Sequence, residues 1–270
     1  MSAASADRAL RRWTRFGATT RVLRSAFYIL TIAAVVWSLR TIQIIPEFLY
    51  DAPQQTLDLA TRMWPIDWGW YPQVVHSALL ETLHTATLGT ALAVLLAGGV
   101  ALLTARNITR SVVLNSIGRF ILVATRSVHT MIWALFFVAL FGPGALAGTF
   151  AIAMHSIGFT GKFLAEAIEE ANPGPIEALT AAGASPVAIL LKGYWPQVKP
   201  AFLALVMFRW DINVRESAVL GLVGAGGLGM ALNAAMENLY WDQVGLVLLV
   251  ILGVVIVAEI VTGQVRARLI

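Results

Sequence analysis

Long apolar stretches dominate this sequence and decide what it can fold into. A helix needs about 20 apolar residues to cross the hydrocarbon layer of a membrane. Six stretches are of that order: residues 22–45, 76–104, 116–141, 145–162, 197–223 and 241–263. Hydrophobic residues make up 58% of the chain and charged residues 13%, which is more apolar than an average soluble domain. The sequence therefore predicts an all-α integral membrane protein with about six transmembrane helices.

The basic residues predict how these helices are oriented. They flank the apolar stretches at Arg8, Arg11, Arg12, Arg15, Arg21, Arg24, Arg106, Arg110, Arg119, Lys162, Lys192, Lys199, Arg266 and Arg268. Residues 46–75 instead carry Glu47, Asp51, Asp58 and Asp67 with a single Arg62. Because cytoplasmic segments are enriched in Lys and Arg, both termini are expected in the cytoplasm, and residues 46–75 are expected to form an extracytoplasmic loop.

The chain is expected to divide at residue 75. Residues 1–75 would hold a basic N-terminal helix on the membrane surface, the first transmembrane helix and the extracytoplasmic loop, and residues 76–270 would form the core. The second apolar stretch is rich in small residues such as Ala86, Gly89 and Ala93, which let helices approach closely in lipid. This helix is therefore expected inside a bundle.

Composition also excludes several classes of function. The formal net charge of +4 is spread over the membrane flanks rather than gathered on one soluble face, so nucleic acid is not an expected partner. The sequence contains no cysteine, which excludes disulfides and thiolate metal sites. It also lacks a G-x-x-x-x-G-K-[ST] segment, so hydrolysis of ATP by a P-loop would need a separate subunit.

Residues 172–196 form a polar segment within this apolar chain. Asn172 with Pro173 is typical of a helix start, and Gly183 is typical of a left-handed helix end. Ser185 followed by Pro186 indicates the start of a second short helix, and Pro196 is expected to open the fifth transmembrane helix. The segment therefore predicts two short helices that face water.

The spacing within this segment resembles the EAA loop of the permease subunits of ABC importers. That pattern reads E-A-A, three residues, Gly, nine residues, then I-x-L-P, and here it is matched by Glu177, Ala178, Gly183 and Pro196. The sequence departs from it at Leu179, Gly193 and Trp195. The Gly-Tyr pair before Trp195 is similar to the phosphonate branch of the family.

Two further segments carry the same resemblance. Glu81-Thr82-Leu83 with Gly89-Thr90 resembles the start of the family's core. Asn213-Val214-Arg215, followed by the run from Val219 to Gly229, resembles a signature of phosphonate permeases. Methionine and glycine-betaine permeases look similar in the GAGGLG part of that run. The resemblance covers residues 76–263.

The resemblance implies an ABC type I importer permease fold in a bacterial inner membrane. It implies a coupling loop, made by Glu177, Ala178, Gly183, Ser185, Pro186 and Pro196, that docks on a cytoplasmic ATPase. It further implies a homodimer of this chain, two ATPase subunits that carry ATP and Mg, and an extracytoplasmic substrate-binding protein. No cofactor is expected in this chain, which would be a transporter subunit rather than an enzyme.

Polar residues inside the apolar stretches are candidates for a translocation path. They are Arg126, His129, His155, Ser156, Arg209, Asn213 and Glu216. At 100° per residue, Arg209, Asn213 and Glu216 share one face of a helix, and such residues mark either an ion-paired lock or the lining of a path. Both interpretations stay open. Asp211 and Arg215 are expected to form a structural i,i+4 ion pair on the opposite face.

The glycine run Gly224, Gly226, Gly227 and Gly229 satisfies G-x-G-x-x-G, but that nucleotide fingerprint needs an α/β unit. A helix break or close helix contact at an outer gate is expected instead. His129 and His155 are expected to hydrogen-bond rather than bind metal, since no Cys or carboxylate has ligand spacing.

The expected function is import of phosphonate or a related phosphorus oxyanion, including phosphate and phosphite, by alternating access. A permease for methionine, glycine betaine or another small solute is the first alternative. An ion-coupled secondary transporter that uses Arg209, Glu216 or Glu259 is the second.

Overall fold

The structure is a computed structural model that describes residues 17–42 and 46–269. All regular elements in these ranges are helical. They are α1 (Ala18–Thr41), α2 (Pro46–Arg62), α3 (His76–Thr104), α4 (Val112–Ser127), α5 (Thr130–Phe141), α6 (Ala145–Glu169), α7 (Pro173–Ala181), α8 (Pro186–Ile189), α9 (Trp195–Leu220), α10 (Gly227–Glu237) and α11 (Trp241–Leu269). Tyr71–Val75 and Leu190–Tyr194 are π turns, and Gly221–Val223 is a 3₁₀ turn. The predicted basic helix falls largely on residues 1–16, outside the described ranges.

The chain forms two compact units that divide between Leu57 and Asp58. In the first unit, α1 is a 24-residue helix, so it measures about 36 Å along its axis. Apolar side chains such as Phe27 and Trp37 on this helix are exposed. Its length and its apolar surface suit a membrane-spanning helix.

Residues 46–62 are helical rather than a loop. The four prolines between residues 46 and 72 favoured a loop, but α2 places Pro46 at its first position, where the missing N–H costs no hydrogen bond. Pro53 lies within this helix. Near the end of α2, Arg62 Nη2 lies 2.9 Å from Asp58 Oδ2, one turn earlier, which supports the helix at its surface.

Four helical segments in the described ranges are long and apolar enough to cross a membrane, or five if one bent pair is counted as a span. The predicted stretch 145–162 is not among them, although α6 contains it and is 25 residues long. His155 and Lys162 lower the hydropathy of α6. Most of its side chains are covered by neighbouring helices, so α6 does not need a continuous apolar surface toward lipid.

The predicted single helix over residues 116–141 is wrong. The structure has two helices, α4 and α5, that meet at 90°. His129 has an extended backbone, and its Nδ1 accepts a hydrogen bond from Met131 N at 3.3 Å as the cap of α5. Trp133 Nε1 donates to Thr125 O at 3.3 Å, which satisfies a carbonyl left free where α4 ends.

The core of the second unit is built on α3, α6 and α9. The small-residue face of α3 is buried, with Ala86, Ala93 and Ala97 fully covered. A Cβ on Gly89 would lie 2.7 Å from Ile152 Cγ2, so the absence of a side chain there is what lets α6 approach α3. The expectation that this helix lies inside a bundle is confirmed.

Candidate functional site: a buried polar relay and a two-helix loop

The polar segment 172–196, which we call the two-helix loop, contains the three predicted caps at Asn172, Gly183 and Ser185. At the start of α7, Asn172 Oδ1 accepts a hydrogen bond from Gly174 N at 2.9 Å. At its end, Gly183 has φ +74°, and the N–H groups of Gly183 and Ala184 each donate to a carbonyl of α7 at 3.0 Å. Ser185 Oγ accepts from Ala188 N at 3.3 Å. Glycine adopts the left-handed conformation found at residue 183 at little cost.

The second short helix does not stop before the fifth transmembrane helix. Instead, α8 continues through the π turn Leu190–Tyr194 directly into α9. Pro196 has no N–H and its ring would clash with the carbonyl four residues earlier in an α-helix. The chain accommodates it by widening, so that Trp195 N donates to Leu190 O. Pro196 lies in the first turn of α9, as expected, but α9 is continuous with α8 through the π turn.

The inner face of α7 packs against this π turn. A Cβ on Gly193 would lie 3.3 Å from Leu179 Cδ1 and 3.4 Å from Ile176 Cγ1. Gly193 is buried, whereas Leu179 and Ile176 are half-buried. Two departures from the EAA pattern, Leu179 and Gly193, are therefore in contact, and the larger residue on one side fits the smaller residue on the other.

The outer face of the two-helix loop presents an exposed mixed surface. Glu177 and Ala178 are exposed on α7. Val187 and Leu191 are 65% and 58% exposed. Within the described ranges, Glu177 makes no ion pair. Apolar side chains beside an unpaired carboxylate form a surface typical of a contact with another protein.

A chain of hydrogen bonds crosses the core from α9 through α6 to α3. Arg209 Nε donates to Ser156 Oγ at 2.9 Å, and Ser156 Oγ donates to Asn213 Oδ1 at 3.1 Å. Asn213 Nδ2 donates to Thr90 Oγ1 at 2.8 Å, and Thr90 Oγ1 donates to Ala86 O at 2.6 Å. Arg209, Ser156, Asn213 and Thr90, which we call the polar relay, are all buried.

The charge of the polar relay is balanced at its Arg209 end. Arg209 is 4% exposed, and its Nη2 lies 3.5 Å from Glu216 Oε1. Glu216 Oε2 accepts a hydrogen bond from Thr130 Oγ1 at 2.8 Å. The ring centroid of Phe159 lies 5.6 Å from Arg209 Cζ, close enough for a cation–π interaction. A guanidinium buried this deeply needs such a counter-charge.

A cavity of about 240 Å³ opens beside Glu216. Its surface is almost entirely apolar, although His129, Thr130, Arg215 and Glu216 border it. Arg215 forms the predicted ion pair with Asp211, and its half-exposed side chain also borders the cavity. Asp211, the partner of Arg215 in this ion pair, is only 6% exposed.

The two predicted histidines are neighbours near this cavity. Their ring centroids lie 6.3 Å apart. His155 Nδ1 lies 3.0 Å from Val128 O, at the break between α4 and α5. No group of three or more metal-binding side chains occurs among the described residues. The histidines thus bind to backbone groups at the bend.

Arg126 does not join the polar relay. It is exposed on α4 and lines a different cavity, of about 270 Å³, together with Arg119, Lys162 and Glu166. Arg119 was not predicted as a site residue. The sequence indicated this residue only through its spacing of seven residues from Arg126, which places both side chains on one face of a helix.

The glycine run forms a close contact with the start of α3. Gly224, Gly226 and Gly227 have φ of +85°, +88° and +70°. A Cβ on Gly227 would collide with Thr82 Oγ1, and Leu228 N donates to Thr82 Oγ1 at 2.9 Å. A Cβ on Gly229 would lie 2.6 Å from Ala218 O. The Glu81-Thr82 segment and the glycine run, noted separately in the sequence, therefore meet in space.

Comparison with known proteins decides the family. Residues 89–269 match the family described as binding-protein-dependent transport system inner membrane component. The chain belongs to this family. The matched range contains the polar relay, the two-helix loop and the glycine run.

Relatives within this family include two bacterial permeases. The chain is 40% identical over 208 residues to the phosphite transport system permease protein PtxC of Stutzerimonas stutzeri, which covers 77% of this chain and 75% of that protein. It is 36% identical over 235 residues to the phosphate-import permease protein PhnE of Mycolicibacterium smegmatis, covering 86% of this chain and 44% of that protein.

Two solved structures show the same fold. The inward-facing MetNI methionine ABC transporter superposes with a TM-score of 0.62 at 20% identity, over 73% of this chain and 97% of that chain. An amino acid ABC transporter superposes with a TM-score of 0.61 at 18% identity, over 73% of this chain and 95% of that chain. The permease fold of ABC type I importers is thereby confirmed.

We predict that Glu216→Gln lowers the free energy of unfolding by about 1–3 kcal/mol, because Arg209 stays buried without a counter-charge. The double variant Arg209→Gln, Glu216→Gln should recover part of this loss. Thermal unfolding in an uncharged detergent measures both. Asp58→Asn, in an exposed ion pair, is the control and should change stability by about 0.5 kcal/mol or less. Equal effects of the two single carboxylate variants would contradict the role of the relay.

We also predict that Gly193→Ile lowers the free energy of unfolding by about 1–3 kcal/mol, because the added side chain overlaps Leu179. Combining it with Leu179→Ala should restore much of the stability, since volume is then conserved across the contact. The same unfolding measurement applies. Gly253→Ile is the control, because a Cβ there meets nothing within 4 Å. Strict additivity of the two substitutions would refute the packing argument.

Proposed function

We propose that this chain is the membrane-spanning permease subunit of an ATP-driven importer of phosphorus oxyanions, with phosphonate, phosphate and phosphite as the candidate solutes. The names of the two relatives, one for phosphite and one for phosphate, support this solute class. The observation that carries the proposal is the match of residues 89–269 to the family of binding-protein-dependent transport inner membrane components. In the structure, Glu216, which pairs with Arg209 of the polar relay, borders a cavity together with Arg215.

The charges at this cavity suit passage rather than retention. Arg209 is paired with Glu216, and Arg215 with Asp211. Because each cation already has a carboxylate partner, an oxyanion would be attracted without being held tightly. A path must release what it binds, so cations that already have carboxylate partners favour transport. In this proposal His129, His155, Ser156 and Asn213 also belong to the path or its support, whereas Arg126 lies apart from it.

The energy source is a separate ATPase in this proposal. The exposed surface around Glu177, Ala178 and Val187 is the docking face. One chain carries one such loop, and paired ATPase subunits offer two grooves, so two copies of this chain are required. ATP and Mg then belong to the ATPase subunits, and a substrate-binding protein delivers the solute from outside the cytoplasmic membrane.

The helix geometry gives the loop a mechanical connection to the cavity. Residues 186–220 run without interruption through α8, the π turn and α9. From Pro186 to Asn213 this run measures about 40 Å. Displacement of the loop on ATP binding would therefore move the polar relay directly. At the far end of α9, the positive-φ residues Gly224, Gly226 and Gly227 would act as the outer gate.

Transport itself tests the solute class. The chain is reconstituted in liposomes with its cognate ATPase and binding protein, and uptake of radiolabelled phosphite, phosphate, methylphosphonate and methionine is compared. We expect ATP-dependent uptake of at least one phosphorus oxyanion and none of methionine. Uptake of methionine would replace the solute class, and uptake driven by an ion gradient without ATP would overturn the importer mechanism.

Substitutions in the loop test the docking face. We predict that Gly183→Val reduces ATP-driven uptake by about tenfold or more, because it forces a β-branched residue into φ +74°. Glu177→Gln should weaken co-purification of the ATPase, because it removes an exposed charge from the docking face. Gly253→Ala should leave both readouts unchanged. Normal coupling in the Gly183 variant would show that the loop is not the docking element.

A further inference from the structure

Two arginines on α4 face α6 across the cavity of about 270 Å³. Arg119 and Arg126 are seven residues apart, so they lie on the same side of the helix. Lys162 and Glu166 border the same cavity from α6. Thr104, at the end of α3, completes one wall. The cavity therefore has three cationic side chains and lies outside the polar relay.

These arginines differ from those near the polar relay in lacking a partner. Arg209 and Arg215 each pair with a carboxylate. In the described part of the chain, Arg119 and Arg126 make no ion pair and no side-chain hydrogen bond. Arg119 Nε is also buried without a hydrogen-bond partner. A buried donor of this kind costs stability unless something accepts its hydrogen bond.

The two acidic side chains of the cavity, Glu166 and Glu169, each have a partner other than Arg119 and Arg126. Glu166 Oε1 lies 3.4 Å from Lys162 Nζ, one turn away on α6. Glu169 Oε1 accepts a hydrogen bond from Arg106 N at 2.8 Å. Lys162 thus has a local partner in Glu166. With three cationic side chains and the two carboxylates of Glu166 and Glu169, the cavity keeps a net charge of +1, which comes from Arg119 and Arg126.

The backbone around Arg126 is held closely. A Cβ on Gly158 would lie 2.5 Å from Leu122 O and 2.8 Å from Arg126 Cβ. The close approach of α4 to α6 therefore depends on glycine at residue 158. It fixes the backbone and the Cβ of Arg126 next to α6, so that the side chain extends from a defined point at the edge of the cavity.

We propose that Arg119 and Arg126 bind a tetrahedral phosphorus oxyanion group in this cavity. Guanidinium groups present forked N–H donors that match phosphate oxygens, and two unpaired ones on a single face supply both charge and geometry. The group could come from free phosphate or phosphite, or from the head group of an anionic phospholipid. The chemistry of recognition is the same, and it holds whatever solute the transporter carries.

The test uses the full-length chain purified in a maltoside detergent, which carries no phosphate. Equilibrium dialysis measures binding of radiolabelled inorganic phosphate and of phosphite. Native mass spectrometry measures retention of added phosphatidylglycerol. The variants are Arg119→Gln and Arg126→Gln, with Arg110→Gln as the matched control, because Arg110 is an exposed arginine outside the cavity.

We expect one of these ligands to bind the wild-type chain and to bind about tenfold more weakly to either cavity variant, since each loses a charge-assisted contact. Arg110→Gln should bind as the wild type does. Arg119→Lys and Arg126→Lys keep the charge and guard against misfolding of the Gln variants; they should retain more binding than Gln. If the cavity variants lose binding of phosphate or phosphite in dialysis, the ligand is a free anion. If they lose retention of phosphatidylglycerol in mass spectrometry, the ligand is a lipid head group. No binding by the wild type, or an equal loss in Arg110→Gln, would overturn the site.

Discussion

The need to neutralise one buried guanidinium shapes the centre of this protein. Arg209 lies in a bundle surrounded by apolar side chains, where an uncompensated charge would be very costly. Glu216 supplies the counter-charge and Ser156 accepts a hydrogen bond. Through Asn213 the same network reaches Thr90. These contacts come from α3, α6 and α9, so the network forms only when the three helices are aligned in one register. The small residues of α3 let the helices pack closely in that register.

The helix α9 is attached to α3 at a second level. Ser217 Oγ donates to Thr82 O at 3.1 Å, and beyond the glycine run Leu228 N donates to Thr82 Oγ1. With the bond from Asn213 to Thr90, the two helices are joined at points about two turns apart along α3 and about one turn apart along α9. A displacement that enters along α9 would therefore carry α3 with it. At the break between α4 and α5, His129 caps the second helix.

Local signals in the sequence predicted local structure well. Gly183 and Ser185 end and start helices because caps depend on neighbouring residues alone, and periodicity placed Arg209, Asn213 and Glu216 on one face. Their partners on other helices could not be predicted, since contacts between helices depend on packing. The bend at His129 and the helix over residues 46–62 were missed for a related reason. A histidine cap and prolines in a first turn are weak signals beside the apolar or proline-rich composition around them.

The three departures from the EAA pattern are explained by packing. Leu179 fills the space that a side chain at Gly193 would take, so the larger residue has moved from one side of the contact to the other. Trp195 packs against Phe202, two turns later, with ring centroids 5.4 Å apart and the rings tilted by 58°. The first contact holds α7 against the helical run that begins at Pro186, and the second lies within that run. A loosely attached loop would absorb a push from a partner. In the proposed function, a loop held against α9 in this way would transmit that push toward Arg209 and Glu216.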